Sequence, residues 1–162
     1  MLYERIFKEF HERRLRYAVI GGIAVNLHGY NRVTGDLDII ISLEPKNVQC
    51  FIEIVKGLHL EPKIPVALEE LAESAKRQEW IETKNMKVFS IYNPQNPLEH
   101  IDVKIDGEGN IEKYLSRSEA LQVDNFAISV VDIDSLIELK RQAGRERDLG
   151  DIRALEEIKG LK

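Results

Sequence analysis

The 162-residue sequence predicts a mixed α and β fold (α+β), in which one mixed β-sheet is flanked by helices. Apolar residues recur at helical spacing in several segments, and short runs of branched residues between them have strand character. The hydrophobic content of 43% is enough for one core of ordinary size. We therefore expect a single domain over residues 1–162, with C-terminal helices over 135–160 packed on it.

The first half of the chain alternates helical and strand patterns. Each helix is indicated by apolar residues three and four apart, and each strand by a short apolar run. In order, we predict an amphipathic helix through Tyr3, Ile6, Phe7 and Phe10, a strand over Tyr17–Ile20, a short helix after Gly21-Gly22 that closes near Gly29, a strand within 33–42, and a helix with Pro45 in its first turn.

The second half continues in the same way and ends in helices. Turn residues and a capping pattern separate its elements. In order, we predict a helical stripe through Leu68, Leu71, Ala72 and Ala75, strands over 87–92 and 98–105 joined into a hairpin by the turn 93–97, a strand over 126–131, a helix opened by Ser135 and Glu138 as a capping box and closed by Gly144, and a last helix over 145–159.

Composition excludes several classes of function. The net charge of -5 disfavours broad, sequence-independent binding to a nucleic-acid backbone, because such binding needs many Lys and Arg side chains. Cys50 is the only cysteine, so this chain alone can form neither a disulfide nor a cysteine zinc site. There is no long apolar run, and the N-terminus mixes charged with apolar residues, so we expect a soluble, cytoplasmic protein without membrane contact.

Asp36 and Asp38 are the first candidate site residues. Alternate side chains of an extended strand point the same way, so both carboxylates are expected on one face of the second strand. Like charges so close together call for a compensating cation, and Mg²⁺ is a hard cation that binds one or two carboxylates together with substrate phosphates. The alternative for this pair is a solvated strand edge.

Gly21 and Gly22 lie between a strand and a helix. Bare backbone there allows N–H groups and the positive end of the helix to meet a phosphate. The alternative is a tight turn with no ligand.

The stretch 18–41, AVIGGIAVNLHGYNRVTGDLDIII, resembles the opening motif of minimal nucleotidyltransferases of the polymerase β superfamily, especially the group that includes AbiEii-type toxins. The resemblance implies the nucleotidyltransferase (polymerase β-like) fold. It also implies that Gly21 and Gly22 bind the triphosphate of an NTP, that Asp36 and Asp38 bind Mg²⁺ or Mn²⁺, and that two further residues lie beside the site, Arg32 and Thr34. Many members have Gly-Ser after the first strand, so Gly22 removes a hydroxyl that contacts phosphate.

The resemblance also implies a third carboxylate on a neighbouring strand, and Asp102 matches best. Periodicity agrees, because Ile101, Val103 and Ile105 form one apolar face and leave Asp102 on the other. Asp102 is expected to act as a general base or as a shared metal ligand. Asp106 shares that face and competes for the role, and a half-exposed strand with an ion ladder is the structural alternative.

The block 139–152, LKRQAGRERDLGDI, is similar to a second block of the same group, in which a Lys and an Arg-x-x-Asp cluster approach the nucleotide. Lys140 is the first choice for a phosphate contact, and Arg145 or Arg147 offers a bidentate one. The alternative is a charged helix with ion pairs. His28 and His100 are given no catalytic role, because a lone histidine is more often structural than a ligand.

The leading hypothesis is metal-dependent transfer of a nucleoside monophosphate (NMP) from an NTP to a hydroxyl of an acceptor, which is RNA, a protein or a small molecule. The resemblance also allows a toxin of a toxin–antitoxin pair, with a cognate antitoxin or another partner subunit. Two alternatives remain: a catalytically inactive nucleotide-binding regulatory module with the same fold, and a metal-dependent hydrolase that uses the same carboxylates.

Overall fold

The computed structural model describes residues 2–161, which form helices around one seven-stranded sheet. No helix in this range is long and apolar enough to cross a bilayer. The elements in chain order are α1 Glu4–Glu12, β1 Tyr17–Ile20, α2 Gly21–Leu27, β2 Leu37–Ile41, α3 Pro45–Gly57, β3 Glu61–Pro62, a 3-10 helix Leu68–Ala72, α4 Ser74–Lys84, β4 Val88–Asn93, β5 Asn96–Lys104, α5 Glu108–Ser116, β6 Glu119–Val123, β7 Phe126–Val130, α6 Ile133–Ala143 and α7 Asp148–Gly160.

The sheet is mixed, with the strand order β3-β4-β5-β2-β1-β7-β6. The pairs β2–β5 and β1–β7 are parallel, and the remaining neighbours are antiparallel. The predicted fold class, a mixed sheet with flanking helices, is therefore confirmed.

The central strands β1 and β2 are buried on both faces. Ile39 and Ile40 point to opposite faces and both have no exposed surface, so both faces of the sheet are covered at this point. This burial explains why β2 continues after Asp38 as an uninterrupted run of three isoleucines. On α1, Phe10 packs against Tyr17 of β1, with ring centroids 4.7 Å apart.

Several predicted elements have the expected positions. β1 has the predicted bounds, α3 begins at Pro45, and the predicted hairpin is formed by β4 and β5. Gly144 ends α6 in the left-handed region, with φ 65°.

Two predicted helix starts and one strand start were wrong. The N-cap of α6 is Asp132, whose side chain accepts a hydrogen bond from the Ser135 backbone N–H, so Ser135 lies inside the helix and is buried. The last helix begins at Asp148, not at residue 145. β2 begins only at Leu37, so Asp36 precedes the strand.

Candidate active site

Asp38 and Asp102 lie side by side on two parallel strands. The register of β2 and β5 pairs the two residues directly, so their side chains share one face of the sheet. Ser90 of β4 stands opposite Asp102, and its hydroxyl donates a hydrogen bond of 2.5 Å to Asp102 Oδ1. The antiparallel pairing of β1 with β2 brings Ile20, the last residue of β1, beside Asp38. The carboxylates therefore lie where β1 turns into α2.

Gly21 makes this close approach feasible. Its φ of +68° lies in the left-handed region, and a Cβ at this position would overlap the Asp38 carboxylate. Both constraints require glycine. Gly22 is crowded in another way, because a Cβ there would overlap the Thr34 side chain and lie 3.0 Å from Arg32 Nη2. The side chains of Arg32 and Thr34 thus lie over the Gly22 backbone.

Asp36 lies at the rim of the site on the connection between α2 and β2. Its side chain is 57% exposed. The connection is anchored by Asn26, whose amide exchanges hydrogen bonds with the backbone of Arg32, and by the Tyr3 hydroxyl, which donates to the Gly35 carbonyl. These anchors hold Asp36 near Asp38 and Asp102 although it is not part of β2.

His100 lies between two of the carboxylates, a position that sequence analysis did not anticipate. The Nδ1 atom is 3.2 Å from Asp36 Oδ1, and the Nε2 atom is 3.1 Å from Asp102 Oδ1. The only sequence signal was its place two residues before Asp102, which puts both side chains on one face of β5.

The surroundings of Asp38 disfavour its charged form. Burial, followed by the charges of Asp102 and Asp36, raises the pKa of Asp38 to about 7, while the opposing charges of Arg145 and Lys140 lower it. A bound cation would stabilise the charged form of such a carboxylate.

A cleft of about 400 Å³ opens over this face of the sheet. One wall is formed by the ends of β1, β2, β4 and β5, and the other by the C-terminal half of α6 and the residues after it. The lining residues are Ile20, Gly21, Asp38, Lys87, Val88, Asp102, Lys104, Asp106, Leu136, Leu139, Lys140, Gln142, Ala143 and Arg145.

Lys140 is on the α6 wall but is only 4% exposed. Its Nζ lies 2.9 Å from Asp151 Oδ2 and 3.3 Å from Asp148 Oδ1, and both carboxylates are buried. Arg145 Nε lies 2.8 Å from Asp148 Oδ2, and Arg32 Nε lies 2.9 Å from Asp151 Oδ1. The three cationic side chains predicted at the nucleotide site are therefore joined through two aspartates of α7, and sequence analysis gave Asp151 no role.

The remaining sequence candidates are Asp106, Arg147 and His28. Asp106 follows β5 and pairs with Lys104 at 2.5 Å on the cleft wall. Arg147 is exposed at the start of α7. The His28 Nε2 atom lies 2.7 Å from the Val131 carbonyl oxygen, a contact that ties α2 to the end of β7.

The donor atoms fit a hard divalent cation better than a soft metal. Within residues 2–161, no three His, Cys, Asp or Glu side chains already surround one point as metal ligands. Two adjacent carboxylates, one of them with a raised pKa, nevertheless match the way Mg²⁺ is held in phosphate-processing sites, where substrate oxygens and water complete the shell.

Solved structures with the same fold are nucleotidyltransferases. Lincosamide antibiotic adenylyltransferase LnuA with lincomycin bound aligns over 96% of this chain and 94% of its own, with 15% identity and a TM-score of 0.62. ANT(2″)-Ia in complex with adenylyl-2″-tobramycin aligns over 99% and 92%, with 15% identity and a TM-score of 0.61. An antigenic nucleotidyltransferase-like protein from Paracoccidioides brasiliensis aligns over 99% and 74%, with 12% identity and a TM-score of 0.60.

These likenesses show that the chain has the fold of these nucleotidyltransferases. No family model and no curated protein sequence matches it.

Proposed function

We propose that this protein transfers an NMP from an NTP to a hydroxyl group of an acceptor, with Asp38 and Asp102 holding a divalent cation and Asp36 assisting at the rim. The observation that carries the proposal is the direct pairing of Asp38 with Asp102 beside Gly21, at the junction of β1 and α2. When bound, the cation supplies charge neutralisation at the α-phosphate.

The protein residues divide the remaining work. Gly21 and Gly22 offer backbone at the start of α2 to the triphosphate, with Arg32 and Thr34 beside them, and Lys140 and Arg145 add positive charge on the opposite wall. Asp102 accepts the proton of the acceptor hydroxyl. The hydroxyl oxygen of the acceptor forms a bond to the α-phosphorus while the bond from this phosphorus to pyrophosphate breaks. The Ser90 hydroxyl donates to Asp102 Oδ1 and so orients the carboxylate.

The acceptor is RNA, a protein or a small molecule. Two of the solved structures support a small molecule, because LnuA has lincomycin bound and ANT(2″)-Ia is in complex with adenylyl-2″-tobramycin. A toxin–antitoxin role with a cognate partner follows from the sequence resemblance alone.

The test is label transfer from each α-³²P-NTP in the presence of Mg²⁺ and cell extract, followed by separation of RNA, protein and small molecules. Wild type and Asp124→Asn, a change at an exposed turn residue, are expected to label one of these pools. Asp38→Asn and Asp102→Asn are expected to lose at least about 100-fold in rate, because each removes charge from the reacting centre. Equal labelling by Asp102→Asn and wild type would exclude Asp102 as the proton acceptor.

A nucleotide-binding module that transfers nothing is the second candidate. It is favoured by Gly22, where many members of the family that the sequence resembles have Ser, and by the Thr34 and Arg32 side chains that lie over Gly22. Calorimetry that shows NTP binding together with no label transfer to any pool would support this candidate. Phosphate release without a labelled acceptor would instead indicate a hydrolase.

A further inference from the structure

The His100 ring is held between two carboxylates of the candidate site. It lies on the same face of β5 as Asp102, and its side chain is 17% exposed. Asp36 approaches one ring nitrogen and Asp102 the other, at 3.2 and 3.1 Å. The ring therefore has a fixed position beside the residues assigned to the cation.

The contact with Asp102 lacks the geometry of a hydrogen bond. His100 Nε2 is buried and has no hydrogen-bond partner among the described residues, although Asp102 Oδ1 is only 3.1 Å away. Buried polar atoms without partners are rare in proteins, and such an atom in a candidate site suggests a missing ion or water. Two ligands at about 2.1 Å from an octahedral cation, at right angles to each other, are about 3.0 Å apart. The Nε2 to Oδ1 separation matches that spacing.

We propose that His100 Nε2 is a ligand of the divalent cation that Asp38 and Asp102 hold, and that Asp36 orients the ring through Nδ1. Metal-bound histidines usually direct their second nitrogen to a carboxylate, which fixes the tautomer and the ring plane. The inference rests on the cation site of the proposed function and adds a nitrogen donor to it. In residues 2–161, no three His, Cys, Asp or Glu side chains are already arranged as ligands around one metal position. At least one carboxylate must therefore rotate when the cation binds.

A nitrogen donor changes which cation the site prefers. Carboxylate and water oxygens suit Mg²⁺, whereas imidazole suits first-row transition metals, and affinity at mixed sites rises from Mn²⁺ onward. The site is therefore expected to bind Mn²⁺ more tightly than Mg²⁺.

The opposite role for His100 is that of a spacer that the cation must displace. In that case the ring competes with the cation for Asp36 and Asp102, and its removal would strengthen cation binding. Replacing His100 by Ala is therefore expected to weaken cation binding if His100 is a ligand and to strengthen it if His100 is a spacer.

The experiment is Mn²⁺ titration with ATP present, followed by electron paramagnetic resonance, together with pulsed spectra that detect nitrogen-14 coupled to the bound ion. Wild type and His59→Asn, which changes an exposed histidine after α3, are expected to show the nitrogen-14 coupling. His100→Ala is expected to lose the coupling, to bind Mn²⁺ at least roughly tenfold more weakly, and to lose most of the preference for Mn²⁺ over Mg²⁺. His100→Gln keeps a donor oxygen, so it should recover part of the affinity without the imidazole coupling.

Wild-type protein that binds Mn²⁺ without nitrogen-14 coupling overturns the inference, and so does tighter Mn²⁺ binding by His100→Ala. Neither result contradicts the proposal that Asp38 and Asp102 hold a cation. Wild-type protein that binds no Mn²⁺ or Mg²⁺ in the presence of ATP removes the cation site of the proposed function as well. If His100→Ala fails to fold by circular dichroism, the wild-type coupling and its loss in His100→Gln decide the outcome.

Discussion

At the scale of single residues, Asp38 ties stability to pH. Its pKa is raised from 3.8 to about 7 in the folded protein, first by burial and then by the charges of Asp102 and Asp36. The folded state therefore holds a proton that the unfolded state has released between these two pH values. Stability contributed by this proton is present below pH 4 and is lost as the pH rises to about 7.

We predict that Asp38→Asn stabilises the protein when no divalent cation is present. The gain should be on the order of 2 to 4 kcal/mol at pH 8 and smaller at pH 5, because one pKa unit corresponds to about 1.4 kcal/mol. Urea unfolding at both pH values measures it. Asp124→Asn, the same change at an exposed position, should leave the free energy of unfolding within about 0.5 kcal/mol. A gain for Asp38→Asn that does not depend on pH would show that the Asp38 pKa is not raised.

Gly21 supplies a second residue-scale prediction, for which the chain offers a matched control. Gly21 and Gly107 have nearly equal φ angles, +68° and +69°, but of the two only Gly21 has other atoms within 4 Å of an added Cβ. Gly107→Ala should therefore cost about 1 kcal/mol of backbone strain. Gly21→Ala should cost roughly 1 to 3 kcal/mol more, because Asp38 must move. It should also weaken ATP binding.

Equal losses in the two alanine variants, measured by urea unfolding, would mean that the approach of Asp38 to Gly21 does not constrain the site.

Strand periodicity predicted that Asp38 and Asp102 lie on polar faces, and the register places them side by side. The same reasoning put Asp36 on the strand and was wrong, because β2 starts at Leu37. Val33 has high strand propensity, but it is 97% exposed, so burial does not stabilise a strand at this position. The contact of His100 with Asp36 depends on a loop held by Tyr3 and Asn26, and such tertiary contacts have no local sequence signal.

At the scale of elements, α6 and α7 are joined by the buried pairs of Lys140 with Asp148 and Asp151. All three charged side chains are almost fully buried, so each charge would be unfavourable without a partner of opposite sign. Arg32 extends the network from α7 to the residues that lie over Gly22. The last helix thereby holds Lys140, Arg145 and Arg32, the three cations that the proposed function places at the nucleotide.

We predict that Lys140→Met lowers the free energy of unfolding by roughly 3 to 5 kcal/mol, because two buried carboxylates each lose one of their two cationic partners. Lys159→Met is the matched control. Lys159 pairs with Asp134 between the same two helices, but both side chains are more than half exposed. Its loss should cost about 0.5 kcal/mol.

Chemical denaturation of both variants measures the difference. Asp151→Asn combined with Lys140→Met should lose less than the sum of the single changes, because the charges are coupled. Additive losses, or similar effects of Lys140→Met and Lys159→Met, would mean that Lys140 is solvated in solution.

Elements with strong apolar patterns were predicted, and those without were missed. α1 and α3 present buried stripes, and β1 is a buried run that ends at glycine. By contrast, β6 is an edge strand whose residues are mostly exposed, so its sequence lacks the alternation of apolar and polar residues that indicates a strand. β3 has only two residues, too few for any pattern. α5 buries Ile111, Tyr114 and Leu115, a stripe too short to stand out beside Gly109.

At the scale of the whole molecule, the sheet brings together segments that are distant in sequence. β2 pairs with β5 across more than fifty residues, which include α3, α4, the edge strand β3 and its neighbour β4. The Asp38–Asp102 pair therefore exists only once the non-local strand pairing has formed. The candidate site is a product of global folding, and any change that loosens the sheet centre should loosen the proposed cation site as well.

The prediction of one domain over residues 1–162 is tested by unfolding. The buried apolar residues form one cluster that includes Tyr3 at the N-cap of α1, Trp80 of α4 and Leu155 of α7. Trp80 is the only tryptophan, and it stacks on Phe89 of β4, so its fluorescence reports the β4 side of the sheet. Far-UV circular dichroism reports all helices together. In a single cooperative unit, both signals have the same unfolding midpoint.

Leu155→Ala makes this test specific, because it removes a fully buried side chain from α7. The substitution should cost about 2 to 5 kcal/mol and shift both midpoints equally, although Trp80 is on another element. Phe89→Leu, a change beside Trp80, should again shift both signals together. A fluorescence midpoint that stays at its wild-type value in Leu155→Ala, while the dichroism midpoint falls, would show that α7 unfolds separately from the sheet. The Lys140 network would then be lost without unfolding of the Asp38–Asp102 pair.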